Sequence, residues 1–159
     1  ANPYTGTTTI SQGAIEIGNA SALGGGVSTI TLGDAQTSYF DTGLYLRNGV
    51  TLARSLAVNN SGAAVATPTL GSLEAGSQSF SGGITLNRTS IFTAVAGSTV
   101  AFSGTIGGPG GLTKTGSGTV NLSGANAYQR EVNEAIEAAA LLGVSRKGLF
   151  LMRKRLGLD

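Results

Sequence analysis

Thr99-Val100-Ala101-Phe102-Ser103-Gly104 returns twenty residues later as Thr119-Val120-Asn121-Leu122-Ser123-Gly124. Each copy alternates polar with apolar residues, as a half-buried strand does, and ends on Ser-Gly. A second pair lies upstream. Gly49-Val50-Thr51-Leu52-Ala53-Arg54 returns as Gly83-Ile84-Thr85-Leu86-Asn87-Arg88, thirty-four residues on. Self-similarity at a spacing of about 20–50 residues, with one to three strands per repeat, is the signature of a solenoid. In a parallel β-helix the coils stack about 4.8 Å apart, and one side chain in two points inward to form ladders with its equivalents. Val100 over Val120 and Phe102 over Leu122 are therefore expected as core ladders.

Outward from these repeats the same vocabulary continues. Strands are expected at Thr7–Ile10, Ala14–Ile17, Ser28–Leu32, Leu44–Leu46, Val50–Leu52 and Leu56–Val58. Six more are expected at Ser79–Ser81, Ile84–Leu86, Ile91–Ala94, Thr99–Ser103, Leu112–Lys114 and Thr119–Ser123. All are rich in Thr, Val, Ile or Leu, with Gly, Asn and Ser between them. Residues 1–128 at a period of roughly 20–25 give about five or six coils, mainly β. The competing arrangement is an antiparallel sandwich, which also spaces short strands by turn signals. Repeat offsets longer than a hairpin argue against it.

Composition removes most catalytic chemistry. The 159 residues contain no His, no Cys and no Trp. A Ser-His-Asp triad, a thiol nucleophile, an imidazole base and a zinc finger are excluded, as is a disulfide. No apolar run approaches the roughly 20 residues of a membrane-spanning helix. The chain opens Ala1-Asn2-Pro3-Tyr4, without an initiator Met or a secretory leader, which fits a processed or excised segment. We expect no enzyme activity, no cofactor, no metal and no small-molecule substrate.

Charge divides the chain near Tyr128. Residues 1–128 hold four basic and four acidic groups and 23 of the 26 glycines. Residues 129–159 hold six basic groups and four acidic ones, so the net charge of +2 comes entirely from the last 31 residues. That tail changes to helical patterning. Val132, Ile136, Ala139 and Ala140 fall on one face, Glu131, Glu134 and Glu137 suit a helix N-terminus, and Gly143 and Ser145 suit a stop and a new N-cap.

The run Gly110-Gly111-Leu112-Thr113-Lys114-Thr115-Gly116-Ser117-Gly118-Thr119-Val120-Asn121-Leu122-Ser123-Gly124-Ala125-Asn126-Ala127-Tyr128 resembles the passenger-associated transport repeat of bacterial autotransporters. In that family the run continues as Tyr-Thr-Gly-x-Thr-Thr-Ile, which stands here at the other end as Tyr4-Thr5-Gly6-Thr7-Thr8-Thr9-Ile10. Ala1-Asn2-Pro3-Tyr4 also matches Ala125-Asn126-Ala127-Tyr128 in three positions of four. The resemblance implies a right-handed parallel β-helix, a secreted or cell-surface stalk, and no catalytic residues. It further implies that the segment is one large unit of a longer solenoid, with ends suited to self-association.

The tail Ala138-Ala139-Ala140-Leu141-Leu142-Gly143-Val144-Ser145-Arg146-Lys147 and onward to Leu158 resembles the C-terminal helix-turn-helix of Fis and of sigma-54-dependent activators. By that resemblance Arg146 and Lys147 face bases or phosphates, and Arg153, Lys154 and Arg155 face the DNA backbone. The dimerising helices of that family are missing, so any DNA binding is expected to be weak. A helical pair also suits a cap over the last coil, or a device for self-association. A surface stalk and a cytoplasmic DNA-binding motif belong to different compartments, which predicts an engineered chimera joined near Tyr128. Module boundaries are expected at 1–128 and 129–159.

Within the β part the candidate chemistry is thin. Glu16, Asp34, Asp41 and Glu74 are the only carboxylates of residues 1–128, and no two lie closer than seven residues apart. Only stacking of coils can bring two together, as polysaccharide-cleaving or calcium sites require. Gly107-Gly108-Pro109-Gly110-Gly111 lacks the Gly-Lys-Ser/Thr of a phosphate loop and reads as a turn. Asn59-Asn60-Ser61 and Asn87-Arg88-Thr89 fit the glycan-acceptor pattern. Tyr4, Tyr39, Phe40 and Tyr45 are candidates for a sugar-contacting surface, although core packing or coil-end shielding is the more ordinary role.

Overall fold

A computed structural model describes residues 2–37, 39–59 and 67–128. The described chain is built of short strands. The first coil carries β1 (Thr8–Ile10) and β2 (Gly13–Ile17). The second carries β3 (Ile30–Leu32), β4 (Thr42–Leu46) and β5 (Thr51–Leu52). The third carries β6 (Leu56–Val58), β7 (Pro68–Ser72) and β8 (Gly76–Phe80). The fourth carries β9 (Ile84–Leu86), β10 (Ser90–Ala94) and β11 (Ser98–Phe102). The fifth carries β12 (Ile106–Gly108), β13 (Leu112–Thr115) and β14 (Thr119–Leu122), after which β15 (Ala127–Tyr128) begins another turn.

These strands form three sheets that run along the stack, in the orders β1-β3-β6-β9-β12-β15, β2-β4-β7-β10-β13 and β5-β8-β11-β14. Every pairing is parallel. A sandwich of hairpins is thereby overturned, and the chain is a three-faced parallel β-solenoid of about five turns. The described residues contain no helix. The predicted helix-turn-helix tail, its capping or self-associating role and the chimeric junction all fall on residues 129–159, outside the described residues.

The core follows from the alternation. Thr8, Ile30, Leu56, Ile84 and Ile106 stack on the first face. Ile15, Leu44, Leu70 and Phe92 stack on the second. Leu52, Phe80, Phe102 and Leu122 stack on the third. The buried members join one apolar cluster from Ile10 to Ile106. Phe102 links two faces. Its ring stacks on Phe80 at 4.8 Å between centroids and on Phe92 at 4.1 Å, close to the offset-stacked contacts that aromatic pairs favour.

The expected twenty-residue register is the observed one, with Thr99 opposite Thr119 and Phe102 opposite Leu122. Burial is not as expected. Leu122 is 38 % exposed and Val120 only half-buried, because β14 is the last strand of its sheet and packs on β11 from one side only. The thirty-four-residue repeat does not stack at all. Leu52 pairs with Phe80 on the third face, whereas Ile84 pairs with Leu56 on the first. The two segments are alike because both turn a corner into a strand whose alternate residues are buried. They occupy different faces.

Coil length also departs from the expected 20–25 residues. It ranges from 20 between Thr99 and Thr119 to 29 between Gly13 and Thr42. The surplus lies in the chain between β2 and β3, between β3 and β4, and between β6 and β7. Each of the twelve expected strands overlaps an observed one, and β7, β12 and β15 were not anticipated. Gly107 and Gly108, read as part of a turn, are strand β12.

Backbone crowding sets the corner residues. Gly82, Gly104 and Gly124 follow Ser81, Ser103 and Ser123 at successive corners. A Cβ on Gly104 would lie 2.1 Å from the Gly82 carbonyl oxygen, and a Cβ on Gly124 would lie 2.0 Å from that of Gly104. Such a column admits only glycine, whatever its dihedral angles. Gly104→Ala should therefore lower the unfolding free energy by about 3 kcal/mol, and Phe92→Ala by about 3–5 kcal/mol. Gly6→Ala, which meets nothing within 4 Å, should be near neutral. Urea denaturation of the three variants checks this.

Candidate functional site

Each carboxylate of the solenoid reaches into a neighbouring coil. Asp34 Oδ2 accepts a 2.6 Å hydrogen bond from Ser11 Oγ of the first coil. Its Oδ1 accepts the Gln36 N–H at 2.8 Å, closing a local turn. These bonds, with Ser11 the largest contributor, hold the Asp34 carboxyl below its ordinary value, against a smaller upward push from desolvation. Glu16 accepts from Arg47 Nη2 at 3.1 Å across the first and second coils. Asp41 accepts the Thr67 N–H at 2.7 Å, and Glu74 accepts the Asn48 N–H.

Stacking does align two of the four. Glu16 and Glu74 both act on Arg47, whose guanidinium is held above its ordinary value first by the hydrogen bond to Glu16, then by the charges of Glu16 and Glu74. Glu16 is the ion-pair partner, and Glu74, bonded to the Asn48 N–H, adds its charge from the next coil. Both groups of the ion pair are exposed (58 % and 39 %), so solvent screening leaves the pair a minor contributor to stability. Among the described residues no three acidic side chains converge on a point that could hold a metal. The arrangement can staple coils; it lacks the facing acid and base of glycoside hydrolysis.

Arg54 was missed by sequence reasoning. Its guanidinium donates to the Leu23 carbonyl from Nη1 and to the Ser28 carbonyl from Nε and Nη2, at 2.6–2.9 Å. The first coil has no strand on the third face, so the carbonyls of 23–28 lack a ladder partner there. Arg54 supplies three donors in a fixed fork, which Lys does not. No local signal could have shown this, since its acceptors are backbone groups 26 to 31 residues earlier.

The remaining candidates separate in space. Asn87 Nδ2 donates to Asn59 Oδ1 at 3.2 Å, an inter-coil amide bond that engages both candidate glycan acceptors. Tyr45 lies half-buried on β4, opposite Glu16. Tyr4 sits at the amino-terminal corner, with its hydroxyl 3.1 Å from Thr8 Oγ1. Tyr39 and Phe40 project from the 33–41 corner, 71 % and 57 % exposed. The four therefore do not form one surface, and core packing, the ordinary role for such residues, does not hold for Tyr39 and Phe40. A groove of about 320 Å³ runs along the first face, lined by Thr29, Ser55, Gly83, Thr85 and Thr105 among others, with no titratable side chain. The proposed DNA contacts Arg146, Lys147, Arg153, Lys154 and Arg155 lie outside the described residues.

The passenger-associated-transport-repeat family matches residues 1–17 and 112–130, the two runs at opposite ends of the solenoid. The chain is 37 % identical over 128 residues to the "Adhesin BmaC autotransporter" of Brucella suis biovar 1 (strain 1330). That alignment covers 80 % of this chain and 3 % of the relative, so the chain spans a small fraction of the protein it matches. No solved structure matches.

Two consequences are measurable. Asp34 is depressed in the folded state, so its contribution is present above the ordinary carboxyl value of 3.8 and is lost as pH falls through the folded value. Ser11→Ala should move the Asp34 titration upward in a carbon-detected NMR series. It should also weaken the loss of stability on acidification. Arg54→Ala should cost about 2–3 kcal/mol in urea denaturation and speed amide exchange at 23–28, with Arg54→Lys recovering only part.

Proposed function

We propose that the chain is a non-enzymatic, surface-displayed segment of an autotransporter passenger, a right-handed β-solenoid that serves as a stalk and carries recognition on its corners. The observation that carries this reading is the similarity to an autotransporter adhesin over 128 residues, found on a chain that folds as a parallel solenoid. The right hand is the one that parallel crossover connections take in nearly all proteins. Location outside the cell is supported by the similarity to the passenger-associated transport repeat and to an autotransporter adhesin.

A non-catalytic role is favoured by the placement of the polar groups. Asp34, Asp41, Glu16 and Glu74 are all engaged in holding adjacent coils in register. The interior of the described stack is one continuous apolar cluster from Ile10 to Ile106. The relative's name speaks of adhesion; for this chain the corresponding expectation is a rigid spacer that presents partner-binding loops.

Protease treatment of intact bacteria that produce the parent protein tests the location. Epitopes within 33–41 should be removed from whole cells while cytoplasmic markers survive. Protection of those epitopes until the cells are lysed would refute surface display.

A further inference from the structure

We infer that Asn48 is a site of spontaneous deamidation which the stacking of the second and third coils holds shut, so that opening of this corner is recorded covalently and not reversed. The inference goes beyond the display reading and does not rest on it. Asn48-Gly49 is the only Asn-Gly pair in the 159 residues. In such a pair the following backbone nitrogen reaches the side-chain carbonyl carbon most readily, because glycine has no Cβ to hinder the approach and few restraints on its dihedral angles. The Gly49 nitrogen gives up its proton to solvent base and forms a bond to Asn48 Cγ. The Cγ–Nδ2 bond breaks, and Nδ2 leaves as ammonia. Water then opens the cyclic imide at either carbonyl. The products are aspartate and isoaspartate; water is consumed, ammonia is released, and nothing is oxidised or reduced.

Water has access to the pair, since Asn48 and Gly49 are both exposed. What the fold withholds is freedom. The Gly49 N–H, whose proton must go, is donated to the Ser77 carbonyl at 2.8 Å. Asn48 Oδ1, which must turn with Cγ toward that nitrogen, accepts the Ser77 N–H at 3.0 Å. The Asn48 N–H is donated to the Glu74 carboxylate. Both partner residues belong to the third coil, Glu74 between β7 and β8 and Ser77 in β8. The side chain also lies against Gly76, where a Cβ would stand 2.1 Å from Asn48 Oδ1. Within the second coil the Val50 N–H closes a turn on the Arg47 carbonyl at 3.1 Å, with Gly49 at φ +79°. The attack therefore has to wait until the second coil separates from the third at this corner.

The product does not fit the place the asparagine left. A carboxylate at position 48 stands beside Glu74, which binds the backbone N–H of the same residue, and like charges repel. The neighbouring cation, Arg47, is already paired with Glu16. Isoaspartate in addition inserts a methylene into the main chain before Gly49, which displaces the nitrogen that bonds Ser77. The strand that follows, β5, is poorly placed to absorb this, since it is the end strand of its sheet and pairs with β8 alone. A corner once opened and deamidated does not regain its register.

The test incubates the purified full chain at mildly alkaline pH, once folded and once in guanidinium chloride, and follows Asn48 by peptide mapping with mass spectrometry. Conversion in the folded chain should be at least about tenfold slower than in denaturant, because only the locally opened fraction reacts. Glu74→Ala, which removes one inter-coil anchor, should convert faster than wild type when folded and at the same rate in denaturant. Asn48→Asp, the direct product, should lower the thermal midpoint and speed amide exchange at Gly49 and Ser77. The assignment is overturned if Asn48 stays intact in denaturant, if folding fails to protect it by that factor, or if Glu74→Ala converts no faster than wild type. It is likewise overturned if Asn48→Asp exchanges at those two amides as slowly as wild type. Should Asn48→Asp not fold, the wild-type rate comparison decides alone. None of these outcomes touches surface display, which the protease experiment decides separately.

Discussion

Everything in this molecule depends on stacking backbones at the spacing of a parallel β ladder. Coils about 4.8 Å apart leave no room for a side chain directed along the axis. Each residue must therefore point into the interior, point outward, or be glycine. The Gly82-Gly104-Gly124 column is the extreme case, since each glycine sits where a methyl group would overlap the carbonyl of the coil below. The inward positions obey the same spacing. Like must lie on like, which is why Leu44 covers Leu70 and Phe80 covers Phe102.

This constraint assigns the polar groups their work. Ladder bonds fix each strand against its neighbours, but corners and irregular stretches leave backbone groups without a ladder partner. Side chains fill those places: Asn48 accepts from the Ser77 N–H, Asn126 from the Ile106 N–H, and Arg54 covers two carbonyls of the first coil. All four carboxylates of the described residues, with Arg47 and Arg54, are engaged between coils. Length variation at corners costs little, because a loop leaves and re-enters the stack at fixed points. The second coil has a long connection between β3 and β4, and Tyr39 and Phe40 lie on it, exposed.

The solenoid was legible because its rule is local. Alternation in Thr99–Phe102 and its return at Thr119 define both the strand and its register, and no distant residue alters either. The strands that escaped notice break the local rule. β7 opens on Pro68 and contains Gly71, β12 is Ile106-Gly107-Gly108, and β15 has only two residues. Their strand character comes from neighbouring coils that supply the ladder. The Gly49–Arg54 and Gly83–Arg88 pair misleads for the complementary reason: similar corner-and-strand wording recurs on every face, so similarity alone does not say which face is meant.

The sequence by itself determined that the β part is a parallel stack with an apolar interior, and that imidazole and thiol chemistry are not available to it. Those properties rest on residue periodicity and on the absence of histidine and cysteine. Tertiary structure alone decided which coil lies over which, because corner insertions change the period from one turn to the next. It alone paired Glu16 with Arg47, gave Arg54 its carbonyls, and left Tyr39 and Phe40 in solvent. Each of these relations joins residues whose separation along the chain is set by loop length, and loop length carries no signal of what it brings together.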